Sequence, residues 1–369
     1  MCKFVINVKE ILANLTKVKT FLPKNTKVCA VIKANAYGFG SVKMARLLSK
    51  SVDYFAVARL CEFMKINELN LKVPCLILSP LNGKENRVAI KNGAEITIST
   101  STNIIDIQKH AEKNGQKAKV HIKLDTGMNR YGIKTERELT QLLKQLKLCK
   151  NIEVVGAFTH VYDARNSKNT LKQRHTFIRF RKIIESFGFK PLYHFANSIA
   201  LKNKENCFDM VRLGFDLYSG KHISEHKFTT FIREIKSIEK GEIVSYNANF
   251  KAKKHMQIAV CGAGYADGIS RKLSKKGFVL IEGERAKILG DICMDSFMVD
   301  VSNIPKAKID SEVVIFGKSG ESYISVCDIA RICDTIPYEI YTNISQRVKR
   351  VYVWGKKCRL LRGNIKEGS

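Results

Sequence analysis

The stretch "VCAVIKANAYGFG", Val28–Gly40, opens with five apolar residues and places a lysine where the run ends. Its first part reads as a buried strand. Lys33, a residue costly to bury, is followed by Ala-Asn-Ala and by Tyr37 among small residues, which reads as a turn. The same unit recurs to about residue 215. Strands are expected at 27–32, 54–58, 74–79, 95–99, 119–124, 153–159, 192–196 and 209–213, with helical spacing between them, as over 41–50, 136–148 and 174–188. Eight short apolar strands alternating with helices suit a parallel sheet covered on both faces. They predict a (β/α)8 TIM-type barrel, with an open doubly wound sheet as the alternative. Beyond about residue 224 the segments are β-rich, and a single helix at 325–334 interrupts them. The expected division is a barrel over 1–224 and a mainly-β domain over 225–369.

Composition narrows the class. The chain has 369 residues, 45% of them hydrophobic, enough to bury a core in each of two domains. No window is apolar enough to span a membrane. The opening "MCKFVINVKEILANL" carries Glu10 and no long apolar run, so no signal peptide is expected. The 11 cysteines are odd in number, scattered and free of any CxxC, which fits free thiols in a reducing cytosol rather than a disulfide framework or a zinc site. The formal charge of +30 is spread over short clusters such as 251–255 and 270–277 rather than basic tails, so it reads as solvated surface and not as a specific nucleic-acid interface. No metal ligand set is expected.

In a barrel the chemistry gathers at the C-terminal ends of the strands. Lys33 and Tyr37 follow the first strand, Lys123 and then Arg130 the fifth, and His160 the sixth; Asn197 and Ser198 follow the seventh, and Arg212 and Gly214 belong to the eighth. Singly, each could be an ordinary surface or structural residue. Together they make one kind of site. An amine in a low-dielectric pocket beside cations loses its proton easily and becomes a nucleophile suited to a Schiff base. The loops after strands seven and eight are the usual phosphate site of such barrels. A phosphorylated aldehyde that condenses with lysine is pyridoxal 5'-phosphate.

The segments "AVIKANAYGFG", "KLDTGMNRYGI", "HFANS", "DMVRLGFDLYSG", "VSYNANF", "GYADGISR" and "GDICMDSFMVD" carry a family resemblance over nearly the whole chain. It resembles alanine racemase, a pyridoxal-phosphate enzyme built of a barrel and a β domain. The resemblance implies that Lys33 tethers the cofactor and is one base, and that Tyr246 is the other, on the opposite face of the substrate. Tyr37 and Ser198 would bind phosphate through hydroxyls, Gly214 and Phe215 through backbone amides, with Asn197 among the cofactor contacts. Arg130 would reach the cofactor oxygen and the substrate carboxylate, held by a carbamylated Lys123. Arg212 would donate to the pyridine nitrogen, with His160 bonded behind it, which weakens the ring as an electron sink and disfavours transamination. Met294 would offer its amide to the substrate carboxylate, and Tyr265 would stand in the access channel. The implied assembly is a cytoplasmic homodimer in which Tyr246, Tyr265 and Met294 serve the partner's barrel, and the implied role is D-alanine supply for peptidoglycan.

Periodicity by itself would make Tyr246 a core aromatic and would pair Lys123 with Asp125. Three positions depart from the family pattern. Gln346 stands where many members have a tyrosine. Arg165 stands where they carry an acid and Asp291 where they carry an arginine, so a channel ion pair across the dimer could persist with its signs exchanged. A broad-specificity or serine racemase on the same scaffold, or a non-catalytic cofactor-binding barrel, are the alternatives.

Overall fold

The computed structural model describes residues 2–219 and 224–355. It divides into two compact units, residues 15–217 and residues 1–14 together with 218–369. The opening strand β1 (Lys3–Asn7) thus lies in the second unit, whereas the sequence had suggested a barrel domain beginning at residue 1. Among the described residues, no helix is long and apolar enough to cross a membrane.

The first unit is the expected barrel. Its strands are β2 (Lys27–Val31), β3 (Tyr54–Val57), β4 (Cys75–Ile77), β5 (Glu95–Ile98), β6 (Ala118–Lys123), β7 (Ile152–Phe158), β8 (Leu192–His194) and β9 (Met210–Leu213). They pair in parallel in the order β8-β7-β6-β5-β4-β3-β2-β9. The two ends of that order also meet. Asp209 N donates to Tyr193 O at 2.9 Å and Arg212 N to Ala196 O at 3.0 Å, and Asn197 bridges Arg212 in parallel. The sheet is closed, which decides against the open doubly wound alternative.

Alternate residues face inward. Cys29, Val31, Tyr54, Ala56, Leu76, Phe158 and Met210 pack together there. Gly156 has the same parity as Phe158 on β7, and a Cβ at Gly156 would overlap the ring of His121 on β6. The intervening helices are capped locally, as where Thr135 accepts from Glu138 N and Glu138 answers Thr135 N, starting the helix Glu136–Leu148.

The second unit is antiparallel apart from one pair. Its strands are β10 (Lys227–Ile238), β11 (Ile243–Val244), β12 (Phe250–Lys251), β13 (Met256–Cys261), β14 (Phe278–Ile281), β15 (Glu284–Leu289), β16 (Phe297–Asp300), β17 (Glu312–Ser319), β18 (Ser322–Ile324) and β19 (Lys349–Val353). β10 bonds β13 along one half and β17 along the other, so the circuit β10-β13-β16-β15-β14-β17 closes on itself. A bulge between Ile232 and Glu234 lets the long strand turn from one neighbour to the other. β1 joins outside this circuit, antiparallel to β10 and parallel to β19.

Candidate active site

Lys33 follows β2 directly, and the chain then does something costly. Ala34, Asn35, Ala36 and Tyr37 all have φ between 50° and 55°, a left-handed turn made without glycine. For the alanines and Tyr37 such a conformation costs about 1–2 kcal/mol each, although asparagine tolerates it better, so the turn must be held from outside. Glu62 Oε1 accepts from Ala34 N at 2.7 Å while its other oxygen accepts from Ala58 N, also at 2.7 Å. Asn35 Oδ1 accepts from Ser41 N at 2.9 Å. Ala36 is fully buried, and Gly38 continues with φ 89°. The sequence reading missed Glu62, whose helix Leu60–Asn67 follows the neighbouring strand β3.

The turn delivers Tyr37 to Gly214. A Cβ on Gly214 would sit 2.5 Å from the Tyr37 hydroxyl, and Gly214 N donates to Ser198 Oγ at 3.1 Å. Two hydroxyls and a backbone amide therefore meet at a cradle that only glycine leaves open. Such a donor set suits a phosphate. Phe215 is the next residue and opens the short helix Phe215–Ser219. Asn197 has a different part from the one expected of it. Its Oδ1 accepts from Ile199 N and Ala200 N at 3.2 and 3.0 Å, and its Nδ2 donates to Val161 O. The side chain is spent on the loop that carries Ser198.

Arg212 is buried and bonded on several sides. It donates to Thr159 O at 2.6 Å, to His194 O at 2.7 Å and to His194 Nδ1 at 3.0 Å. The ring behind Arg212 is thus His194, where the resemblance had implied His160. No hydrogen bond joins His160 to Arg212 among the described residues; its ionisation is pushed down to about 3 by burial and then by Arg212, Lys123, Arg130 and Lys33. Arg212 and His194 are two members of a longer chain. His194 Nε2 lies 3.0 Å from His121 Nδ1, and His121 Nε2 lies 2.7 Å from Glu95. All four side chains are buried. A guanidinium only donates, so His194 Nδ1 accepts and its Nε2 carries the hydrogen. The same logic puts the His121 hydrogen on Nε2, facing the Glu95 carboxylate. The barrel interior thus carries one ordered hydrogen-bond relay from a cation to an anion.

Burial and neighbouring positive charge act on the lysines too. Lys33 is lowered by desolvation and then by Arg130, against a weaker pull from Glu62, with Arg212 adding last. Lys123 lies well below an ordinary lysine, through burial and then Arg212 and Arg130. Its amine stands 4.5 Å from the Phe158 ring centre. Asp125 does not pair with it; Asp125 Oδ1 instead accepts from Gly127, Met128 and Asn129 N at 2.9, 2.9 and 3.1 Å. Those bonds shape the loop that presents Arg130, which is exposed. Burial also brings Arg212 down to about 10, which leaves it cationic at neutral pH.

The second unit gathers its own candidates around one segment, 290–295. Tyr265 N and Ala266 N donate to Cys293 O and Met294 O, each at 3.1 Å. A Cβ on Gly264 would collide with those carbonyls, so the close approach requires glycine there. Ser345 N donates to Asp267 O, and Arg347 reaches Asp267 and Asp295 at 3.6 and 2.7 Å, which ties the Gln346 turn to the same group. Tyr246 sits on a turn whose Ser245 has φ 72° and ψ −173°, a region nearly reserved for glycine that costs about 1–3 kcal/mol. Tyr246, Tyr265 and Met294 are 65%, 42% and 54% exposed. Asp291 is buried beside the Tyr246 turn, whereas Arg165 is exposed.

A strand-end amine whose ionisation is lowered, beside a phosphate cradle and with a buried arginine fixed from behind, on a barrel followed by a β-rich unit, is the site of a pyridoxal-phosphate-dependent enzyme. Comparison with known proteins gives the family. Residues 6–222 match the alanine racemase N-terminal domain and residues 226–352 the alanine racemase C-terminal domain. The alanine racemase of Thermodesulfovibrio yellowstonii is 35% identical over 94% of this chain and 96% of its own. Alanine racemase from Clostridium difficile 630 superposes with a TM-score of 0.91 at 33% identity, covering 96% of each chain. The Bartonella henselae alanine racemase, solved with covalently bound pyridoxal phosphate, gives 0.84 at 27% identity over 95% of this chain and 99% of that one. The chain belongs to the alanine racemase family.

Proposed function

We propose that this chain interconverts L- and D-alanine with Lys33 and Tyr246 as bases on opposite faces of the substrate α-carbon, and that the product supplies peptidoglycan synthesis in the cytoplasm. The observation that carries the reading is the Lys33 amine, held below its ordinary ionisation by burial and by Arg130 and Arg212. A neutral amine can both tether an aldehyde cofactor and take a proton. Pyridoxal phosphate, when bound, draws electron density away from the bonds at the substrate α-carbon. Tyr37, Ser198 and the amides of Gly214 and Phe215 hold its phosphate. Arg212 donates to its ring nitrogen without surrendering a proton. Arg130 and the Met294 amide take the substrate carboxylate.

Two bases are required because one fixed base returns the proton to the face it came from. By the family analogy Tyr246 takes the hydrogen of L-alanine and Lys33 that of D-alanine. The unprotonated Lys123 amine, favoured by burial and by Arg212 and Arg130, is the form that adds carbon dioxide, giving a carbamate and a released proton; the carbamate would then hold Arg130. The exposure of Tyr246, Tyr265 and Met294 in the single chain supports a homodimer in which they serve the partner's site. Tyr265, Arg165 and Gln346 belong to the access channel in this reading.

The test is incubation of the holoenzyme with each antipode in D2O, followed by NMR, with reduction by borohydride and peptide mapping alongside. Exchange of the α-hydrogen with inversion, and a pyridoxyl label on Lys33, are expected. A label on another lysine overturns the assignment of Lys33.

A further inference from the structure

The phenol of Tyr246 makes no hydrogen bond among the described residues and is largely exposed, so within this chain it is the backbone of its turn that places it. That backbone is an unusual one. Ser245, Asn247 and Ala248 all have positive φ, at 72°, 59° and 50°. Conformations of this kind persist only where the surroundings impose them. Here the imposed contacts converge on a single residue. Ser245 Oγ donates to the Asp291 carbonyl at 2.6 Å. Asn247 Nδ2 and Asn249 Nδ2 donate to Asp291 Oδ2 at 3.3 and 2.9 Å. The residues one before, one after and three after Tyr246 are therefore all fastened to Asp291. Gly290 brings the two segments close enough, since a Cβ there would lie 2.5 Å from Val244 O.

An ionised carboxylate suits this position because it only accepts, and both carboxamides come to it as donors. Those amides hold the Asp291 carboxyl below the usual carboxylate range, and Arg271, 3.6 Å away, adds to the effect. An arginine at 291 could accept from neither asparagine. The asparagines and the aspartate are thus one matched set.

We propose that Asp291 is the positioning residue for Tyr246: its carboxylate and carbonyl fix the strained turn 245–249 and so place the phenol. The proposal rests on the reading of Tyr246 as a base. A residue that merely stabilised the β-rich unit would slow α-hydrogen exchange from both antipodes alike. A residue that places one of two bases affects only the proton which that base handles.

The test uses the holoenzyme and four variants, Asp291→Ala, Asp291→Asn, Asn249→Ala and Tyr246→Phe. Exchange of the α-hydrogen in D2O is followed from each antipode, and backbone amide exchange over 245–249 is measured by mass spectrometry. Asp291→Ala is expected to slow exchange from L-alanine about tenfold or more, as misplacement of a reacting group does. Exchange with retention from D-alanine, handled by Lys33, stays within about twofold by the same argument, and the amides of 245–249 exchange faster. Asp291→Asn keeps a carbonyl acceptor and restores most of the loss. Adding Asn249→Ala to Asp291→Ala costs less than the sum of the two.

Equal losses from both antipodes, or unchanged exchange from L-alanine while Tyr246→Phe is slow, overturn the proposal. If Tyr246→Phe is itself fully active, the two-base reading falls. Asp291 is then judged as the clamp of the turn, and unaltered amide exchange over 245–249 in Asp291→Ala rejects that as well. Should Asp291→Ala fail to fold, Asn249→Ala, with the carboxylate intact, carries the same comparison.

Discussion

Arg212 donates to His194 Nδ1 across 3.0 Å and so fixes which nitrogen of that ring bears the hydrogen. His194→Leu removes the acceptor from a buried guanidinium and the donor from His121. A buried polar group left unpaired costs about 1–3 kcal/mol. The variant should unfold at correspondingly lower urea with an unchanged slope. With Arg212 less firmly held, it should also release more pyruvate per turnover in a coupled assay for transamination.

Glu62→Ala should loosen the left-handed turn that follows Lys33, because Ala34 N and Ala58 N lose their acceptor. Each lost hydrogen bond to a charged group is worth about 1.5–3 kcal/mol. The expected outcome is weaker retention of pyridoxal phosphate on dialysis and slower racemisation, with the fold intact by far-ultraviolet circular dichroism. Glu62→Gln, which keeps one acceptor oxygen, should fall between the two.

Gly214→Ala places a methyl group against the Tyr37 hydroxyl. Tyr37 must move or the loop must shift, and either disturbs the phosphate cradle. Losing one charge-assisted hydrogen bond corresponds to about a ten- to hundredfold rise in the cofactor dissociation constant. Fluorescence titration of the cofactor-free protein measures it. An unchanged constant would mean that the phosphate does not sit at this glycine.

His160 is held neutral, at about 3 in place of 6.5. Between those values the unfolded chain binds the proton and the folded chain does not, so stability is lost as pH falls through that window. His194, also pushed down by burial and by Arg212, adds in the same direction. Cofactor-free protein should therefore lose stability steeply from about pH 6.5 towards pH 3. His160→Gln should flatten that fall, as measured by urea unfolding at a series of pH values.

The barrel strands were legible because each is a short apolar run between helical segments, and the structure finds every one within two residues of its expected ends. The strand-end residues Lys33, Lys123, His160, Ser198 and Arg212 were legible for the same reason. What was not legible depends on distance or on backbone geometry. The strand KFVIN was not among the expected strands, and only its pairing with residues of β10 and β19 assigns it to the second unit. His160 and His194 both end strands, and nothing local says which ring faces Arg212. The left-handed turn at 34–37 is written mostly in residues that ordinarily avoid it, so its existence rests largely on Glu62, whose reach to Ala34 N is fixed by the fold, with Asn35 adding a local bond to Ser41 N.

The placement of β1 sets the order of events during synthesis. Lys3–Asn7 is made well before its neighbours, Lys227–Ile238 and Lys349–Val353. The whole barrel emerges between them. At elongation rates of about 5–20 residues per second, a strand destined for the interior of a sheet stays without its partners for roughly ten seconds or longer. The nascent chain thus carries an unmated strand until β10 and β19 have been made.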